Sequence, residues 1–334
     1  MNYLVQPLLY AGSSFQDIWA ALVDAVGSAR VPIEIVPAIR PEARDLWSGL
    51  DEPREFARQQ AVQTAFLAER IRGGDRVLFP DFFAPGLDLL QYVREREGLD
   101  VRLGALFHGA SFVPGDLYHW SWLGAFEEGW LRVFDQIYCS SEWMAQTIPA
   151  PHRGKVVVLP WGVHLPHVPR DVERAYDVVF PHRWSADKGV AEFVEIAGAL
   201  PSVRFVVTGF GVSHETPPEL RRLYQQARST PNLTFRERED EEAHLRTLSS
   251  SRVVLSTAVQ EGFGYAVMKA IRCGCIPLLP NRCCYPEFFP RPYLFDSVPE
   301  AAQMLASFLA TPPPPPPRTE GDFAAILTSF FAAD

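Results

Sequence analysis

The chain alternates short apolar runs with longer segments of helical periodicity along almost its whole length. Because consecutive parallel strands need a crossover helix, this alternation is typical of βαβ units and predicts an α/β fold with parallel sheets. The runs predicted as strands are Tyr3–Tyr10, Ile33–Val36, Arg76–Phe79, Val101–Phe107, Gln136–Cys139, Val156–Leu159, Tyr176–Phe180, Arg204–Thr208, Leu233–Phe235, Val253–Ser256 and Ile276–Leu279.

The chain is long enough for two domains: 334 residues, 47% of them hydrophobic, can bury two cores. A polar, proline-bearing stretch at 164–175 separates two series of strands and helices. We expect a first lobe at 1–165, a linker at 166–175 and a second lobe at 176–311. The six prolines Pro312–Pro317 form a stiff spacer within 312–334, before a last apolar helix. That helix either returns to the first lobe or is a loosely docked tail.

Charge and cysteine content exclude some classes of function. The formal net charge is −9 with no basic excess in either half, which argues against sequence-blind nucleic-acid binding but leaves room for a local basic groove. Five cysteines, without a secretory signal at the start, indicate free thiols in a reducing cytoplasm. No Cys-x2-Cys pair accompanies them, so buried packing is favoured over zinc. No apolar run reaches the ~20 residues that span a bilayer.

Two cations follow a buried strand in the segment Asp177–Gly189. The strand ends in a loop that contains Arg183 and Lys188, and Gly189 opens the next helix. In an open parallel sheet, ligands bind at the carboxyl ends of strands, and a helix N-terminus there favours phosphate. The segment predicts a phosphate site, although an isolated pair of this kind is more often a solvated loop charge.

A second segment strengthens that interpretation. A strand ends near Ser256, the loop Glu261-Gly262-Phe263-Gly264 follows, and a helix begins near Gly264. The glycines let the backbone approach a ligand, so that successive N–H groups meet phosphate or sugar oxygens. Glu261 is then a carboxylate for sugar hydroxyls.

Together the two segments resemble the retaining family 4 glycosyltransferases of GT-B fold, whose donor lobe has Gly-Arg-x4-Lys-Gly followed by Glu-Gly-Phe-Gly. The Pro-His-Arg-Trp-x3-Lys block, Cys-Gly-Cys and Tyr-Pro-Glu-Phe-Phe-Pro resemble most the tRNA-queuosine mannosyltransferase type. The resemblance implies two Rossmann-like lobes facing across a cleft. It also implies that Arg183 and Lys188 neutralise a donor diphosphate, while Glu261, Gly262, Phe263 and Gly264 hold the sugar.

The first half resembles the family more weakly. Tyr10-Ala-Gly-Ser-Ser follows the first strand as the family's glycine loop does, which implies that Gly12 and Ser13 approach the donor. His108 matches the family's active-site histidine at a strand end, a position where a histidine without the resemblance is more often structural. Trp120, Trp122, Trp130 and Tyr118 form either an acceptor platform for stacking or buried packing.

One position departs from the family pattern. The family motif is Glu-x7-Glu and its second glutamate holds the nucleotide ribose, but eight residues after Glu261 this chain has Lys269. A lysine cannot accept hydrogen bonds from ribose hydroxyls. We expect Lys269 either to contact the ribose or a phosphate in the cleft of Glu261, or to mark lost donor affinity.

The sequence therefore predicts a metal-independent retaining hexosyltransferase without a cofactor beyond its co-substrate, a GDP- or UDP-sugar. The acceptor hydroxyl is either on a modified base in tRNA or DNA, or on a glycan, lipid or small molecule. The alternative from another class is a non-catalytic GT-B module that binds a nucleotide sugar or a partner.

Overall fold

The computed structural model describes residues 1–7, 14–28, 31–38, 53–116, 121–209, 211–212, 216–318 and 321–332. The chain forms two compact units, Met1–His164 with Glu320–Asp334, and Leu165–Thr319. Each contains one parallel sheet. The predicted α/β class with two parallel sheets is therefore confirmed.

The first unit is built on a six-stranded parallel sheet of order β2-β1-β3-β4-β5-β6. Its core joins strand side chains such as Leu103 and Ile137 to the inner faces of the surrounding helices. The order reverses direction between β1 and β3, which places a topological switch point there. The strands are β1 Asn2–Val5, β2 Glu34–Val36, β3 Arg76–Phe79, β4 Arg102–Phe107, β5 Gln136–Cys139 and β6 Val156–Val158.

Helices connect these strands, as the periodicity predicts. The apolar residues Leu123, Trp130 and Leu131 of α4, spaced by seven and eight positions, face the core, while Phe126 is exposed. The helices are α1 Ser14–Ser28, α2 Pro53–Arg70, α3 Leu87–Arg96, α4 Leu123–Val133 and α5 Glu142–Thr147, with a 3-10 turn at Ala150–Lys155.

The final helix, Phe323–Phe331, belongs to the first unit. The Tyr138 hydroxyl donates to Ser329 Oγ at 3.0 Å, and Arg76 Nη1 donates to the Phe330 carbonyl at 2.7 Å. The Phe330 ring lies so close to Gly104 that a Cβ at that position would be 2.4 Å from it. The chain after the proline spacer thus returns to the first unit and is part of its core.

The second unit contains a six-stranded parallel sheet of order β12-β11-β10-β7-β8-β9. The chain moves to one side from β7 and to the other side from β10, so the switch point lies between these two adjacent strands. The strands are β7 Tyr176–Phe180, β8 Phe205–Gly209, β9 Leu233–Glu237, β10 Ser251–Leu255, β11 Ile276–Pro280 and β12 Leu294–Phe295.

Side-chain caps fix several helices of the second unit. The Asp240 carboxylate accepts from the Ala243 N–H at 2.8 Å, and the Ser297 hydroxyl accepts from the Glu300 N–H at 3.3 Å. The helices are α6 Val190–Ala199, α7 Pro218–Arg228, α8 Glu241–Ser249, α9 Tyr265–Arg272, α10 Tyr285–Phe288 and α11 Val298–Ala310, with a 3-10 turn at Ala186–Lys188. Within the described ranges, no helix has the length and apolar character needed to cross a bilayer.

Candidate functional site

Two loops of the second unit meet at the switch point of its sheet. The first follows β7 and contains Arg183 and Lys188; the second follows β10 and contains Glu261. Because β7 and β10 are adjacent and parallel, their carboxyl ends lie at the same edge. The sheet topology alone therefore brings together the two segments singled out in the sequence.

Asp187 organises the first loop. Its carboxylate accepts from Arg183 Nη2 at 2.7 Å and from the Ser185 hydroxyl at 2.5 Å, and it lies 3.2 Å from Lys188 Nζ. Its side chain is almost fully buried. Burial would raise the pKa of Asp187, but the neighbouring Lys188 and Arg183 cations outweigh this and lower it. Asp187 was not predictable from the sequence, because one carboxylate between two cations looks like an ordinary loop charge.

Lys188 joins the two loops. Its ammonium donates to Glu261 Oε2 at 3.1 Å and to the Gln260 carbonyl at 3.0 Å, and its side chain is buried. Burial alone would lower the pKa of Lys188, yet Glu261 and Asp187 raise it; the Lys188 ammonium in turn lowers the pKa of Glu261 against burial. Both groups are therefore charged at neutral pH.

Backbone contacts fix the positions of the two loops relative to each other. The N–H groups of Val259 and Gln260 donate to the Asp187 carbonyl at 2.8 and 3.1 Å. Gly189 has φ +62° and lies against the Thr257 carbonyl, where a Cβ would be 2.0 Å from the oxygen. No other residue fits at position 189 without moving one loop away from the other.

The Glu261–Gly264 loop leads directly into α9. Glu261 Oε1 accepts from the Gly264 N–H at 3.2 Å. Gly264 has φ +78° and Gly262 is half-buried, while Phe263 is buried and packs edge-on against Phe288 at 5.6 Å. The buried Phe263 side chain thus anchors the loop in the core. Glu261, the first residue of the loop, is positioned by this anchor.

A neutral hydrogen-bonded chain lies beneath the charged groups. The Tyr285 hydroxyl donates to Ser256 Oγ at 2.9 Å, and Ser256 Oγ lies 2.9 Å from His182 Nε2. Burial lowers the pKa of His182 to about 3 and raises that of Tyr285 well above its usual value. His182 therefore adds no charge, and the two cations are balanced by two carboxylates.

This arrangement suits a bound diphosphate. The Arg183 side chain is 31% exposed, so its guanidinium reaches solvent while Asp187 holds it. Gly189 and Gly264 are the N-cap residues of α6 and α9, and within the described chain neither of the two helices has a side-chain cap. Uncapped N–H groups beside two cations favour anionic oxygens.

Lys269 pairs with a carboxylate on a neighbouring helix. It is buried, and its ammonium donates to Glu241 Oε1 in the first turn of α8 at 3.3 Å. Contact of Lys269 with the donor ribose or a phosphate stays a prediction.

His108 lies at the carboxyl end of β4 in the first unit. Its Nε2 donates to the Pro80 carbonyl at 2.7 Å, and its ring lies between Phe15 and Trp161, with centroids 4.7 and 4.5 Å away. Burial lowers the pKa of His108 to about 4. Because a carbonyl only accepts, the proton of the neutral ring is on Nε2, and Nδ1 is an acceptor.

Asp81 is a residue near His108 that sequence reasoning missed. It follows β3, one residue after the carbonyl that His108 contacts, and its Oδ1 accepts from the Phe83 N–H at 3.2 Å. Burial raises the pKa of Asp81 to about 7, and the charge of Asp116 adds to this shift. The feature that distinguishes Asp81 is its raised pKa at a strand end. Because burial causes this shift, it can be seen only in the folded structure.

Other predicted residues divide between described and undescribed parts of the chain. Gly12, Ser13, Tyr118 and Trp120 lie outside the described residues. Trp130 is buried against Phe82 and Phe83, which favours packing over an acceptor platform, whereas Trp122 is 48% exposed.

All five cysteines are free thiols, four of them buried. Among the described residues, no three His, Cys, Asp or Glu side chains are grouped so as to hold a metal ion.

Comparison with known proteins identifies the second unit. Residues 168–291 match the family described as Glycosyl transferases group 1. Drosophila melanogaster tRNA-queuosine alpha-mannosyltransferase is 34% identical over 142 residues, which is 42% of this chain and 37% of that protein. The aligned part thus spans just over a third of that relative. The second unit therefore contains a glycosyltransferase group 1 domain.

Solved structures establish the fold of the whole chain. Anabaena HepE in complex with UDP and glucose aligns with a TM-score of 0.66 at 12% identity, covering 99% of this chain and 95% of that one. The catalytic domain of Arabidopsis thaliana Starch Synthase IV aligns with a TM-score of 0.68 at 13% identity, covering 100% and 95%. The predicted GT-B fold is confirmed.

Proposed function

We propose that this protein is a retaining glycosyltransferase that moves a hexose from a GDP- or UDP-sugar to an acceptor hydroxyl. The observation that carries the proposal is the site where Arg183, Lys188 and Glu261 meet at the switch point, beside two helix N-termini. The match of residues 168–291 to the Glycosyl transferases group 1 family supports it independently.

The two cations supply the electrostatic part of the reaction. When the bond between the sugar and the diphosphate breaks, negative charge grows on the leaving phosphate, and Arg183 and Lys188 are already oriented by Asp187 and Glu261. Preorganised donors of this kind lower a barrier by roughly 3–4 kcal/mol each. Since these side chains and helix N-termini neutralise the leaving group, we propose transfer without a metal ion and without a cofactor besides the co-substrate.

His108 is proposed to act on the sugar. Its Nε2 proton is held by the Pro80 carbonyl, so Nδ1 is left to accept a hydrogen bond from a hydroxyl. His108 is therefore a hydrogen-bond acceptor for orientation rather than a proton donor.

The acceptor is proposed to be a hydroxyl on a modified nucleobase, with tRNA before DNA. The support is the 34% identity to tRNA-queuosine alpha-mannosyltransferase over 142 residues. A tRNA acceptor and five free cysteines agree with a cytoplasmic location, which stays a prediction.

A donor screen tests the proposal. Hydrolysis of each of several GDP- and UDP-sugars by the protein is measured, and the active donor is then offered with bulk tRNA, nuclease-treated tRNA and DNA. We expect one donor to be hydrolysed and its hexose to be transferred to intact tRNA. The absence of hydrolysis and of nucleotide-sugar binding would contradict a glycosyltransferase.

Lys269 supports a second candidate, a non-catalytic module that binds a nucleotide sugar. A buried lysine paired with Glu241 stands where the resembled family has a glutamate. This candidate predicts binding of a nucleotide sugar with no turnover of any donor, with or without acceptor.

A further inference from the structure

Arg282 holds the loop that leads to Glu261. It lies after β11, and its Nε donates to the Ala258 carbonyl at 2.8 Å while Nη2 donates to the Thr257 carbonyl at 2.7 Å. These two carbonyls immediately precede the segment Val259–Glu261. The guanidinium of Arg282, which follows β11, thus fixes two consecutive peptide units of the loop after β10.

Glu192 holds the other side of the same guanidinium. Its Oε1 accepts from Arg282 Nη1 at 3.2 Å and its Oε2 accepts from Nη2 at 2.7 Å, a two-point ion pair. Glu192 is in the first turn of α6, which begins immediately after Lys188 and Gly189. Arg282 therefore connects the first turn of α6 with the loop after β10.

The peptide units that Arg282 contacts also touch the first loop directly. The Thr257 hydroxyl donates to the carbonyls of Lys188 and Gly189, each at 2.9 Å, and the Thr257 carbonyl lies against Gly189. A shift of Thr257 would move Gly189 and then Lys188. The position of the Lys188–Glu261 pair thus depends on where Thr257 and Ala258 are held.

We propose that Arg282, paired with Glu192, is a positioning residue that sets the spacing of Lys188 and Glu261. The inference rests on the proposed function, since it deepens the role of the same site. Arg282 does not need to touch the donor; it acts through the Thr257 and Ala258 carbonyls. Because Glu261 is assigned to the sugar, loss of this positioning affects the nucleotide sugar more than the nucleotide alone.

The variants Arg282→Lys and Glu192→Gln test this inference. Lysine keeps the charge but has a single nitrogen, which cannot bond two carbonyls and a carboxylate in the planar geometry of a guanidinium. Glutamine keeps one acceptor and removes the charge. Arg246→Lys is the matched control, because Arg246 pairs with Glu242 through one carboxylate oxygen on the exposed face of α8.

Three measurements are made on the full chain: kcat and KM for the active nucleotide sugar, affinity for the nucleoside diphosphate alone, and amide hydrogen exchange of residues 257–264. We expect Arg282→Lys to lower kcat/KM about 10- to 100-fold, to weaken nucleoside diphosphate affinity by a smaller factor because Lys188 also shifts, and to accelerate exchange in 257–264. Glu192→Gln should change the same quantities in the same direction by a smaller amount. Arg246→Lys should change neither the kinetics, nor the nucleoside diphosphate affinity, nor the hydrogen exchange.

Unchanged exchange in 257–264 together with unchanged kcat/KM in Arg282→Lys would overturn the inference. An equal loss of affinity for nucleotide and nucleotide sugar would overturn it too, since Arg282 would then have a merely structural role. Hydrogen exchange does not depend on the proposed activity. If the wild-type protein turns over no nucleotide sugar, faster exchange still establishes the positioning contact, while the proposed function fails separately.

Discussion

The Lys188 ammonium lies 3.1 Å from the Glu261 carboxylate, although the two residues are 73 positions apart in the chain. They meet because β7 and β10 are neighbours and each loop leaves its strand at the same edge of the sheet. Lys188 is buried and Glu261 is half-buried, so their charges are coupled more strongly than those of a surface salt bridge.

Lys188→Ala is expected to lose both turnover and stability. The change leaves the Glu261 and Asp187 carboxylates without their buried cation. The free energy of unfolding should fall by roughly 2–4 kcal/mol. Denaturant unfolding measures this, and Lys188→Ala combined with Glu261→Gln should recover part of the stability but none of the turnover.

Arg183→Ala separates catalysis from folding. Arg183 is partly exposed, and Asp187 keeps Lys188 and Ser185 as partners after its removal. We expect a loss of stability below about 1.5 kcal/mol with at least a hundredfold loss of turnover. Near-wild-type kinetics would remove Arg183 from the donor site, and Arg246→Ala serves as an exposed control.

His108→Ala is expected to lower kcat at least tenfold while nucleotide affinity is retained, since His108 is assigned to the sugar. Because its pKa is lowered to about 4, the wild-type ring stays neutral as pH falls from 8 to 5. The pH dependence of kcat between pH 5 and 8 should therefore have the same shape in the wild-type protein and in His108→Ala. A collapse of nucleotide affinity would mean that the role of His108 is misassigned.

Asp81→Asn tests the raised carboxyl pKa. Folding raises the pKa of Asp81 from its usual 3.8 to about 7, so the folded state binds this proton more tightly than the unfolded chain. The resulting stability is present below pH 4 and is lost as pH rises through 7. Asparagine is neutral throughout and keeps the acceptor for the Phe83 N–H. Asp81→Asn should thus be more stable than wild type at pH 8, by roughly 1–2 kcal/mol for this partly exposed group, and equally stable near pH 4. Equal stability of the two proteins at both pH values would show that Asp81 titrates normally.

Lys269→Ala and Lys269→Glu distinguish the two interpretations of Lys269. Both variants leave Glu241 without its cation, and the glutamate adds a second carboxylate beside it. If Lys269 contributes to donor binding, calorimetry should show weaker nucleotide-sugar affinity in both. Tighter binding and faster turnover in Lys269→Glu would instead show that the lysine has replaced a working ribose ligand.

Most strands were predictable because their apolar runs are short and separated by periodic helices; Arg76–Phe79, Gln136–Cys139 and Tyr176–Phe180 have the predicted bounds. Leu294–Phe295 was missed because two residues show no periodicity. The strand predicted at Leu233–Phe235 continues to Glu237, and Arg238 follows it with φ +55°.

The site was predictable where a residue type is needed at a fixed spacing, as for Arg183, Lys188 and Glu261. Arg282 was not predictable, because its partners are far away in sequence: it contacts Glu192, 90 positions earlier. Asp187 has local partners, Arg183 and Lys188, but a carboxylate between two cations looks like an ordinary loop charge. The partner of Lys269 on α8 was not predictable either, because it depends on how two helices pack.

We propose that the second unit binds a nucleotide-diphosphate sugar through Arg183 and Lys188. Isothermal titration of the wild-type protein and Arg183→Ala with GDP- and UDP-sugars measures this binding. We predict that one nucleotide sugar binds the wild-type protein with a Kd below about 1 mM and that Arg183→Ala weakens this binding at least tenfold, about 1.4 kcal/mol. Absence of binding, or equal affinity in the two proteins, would contradict the account.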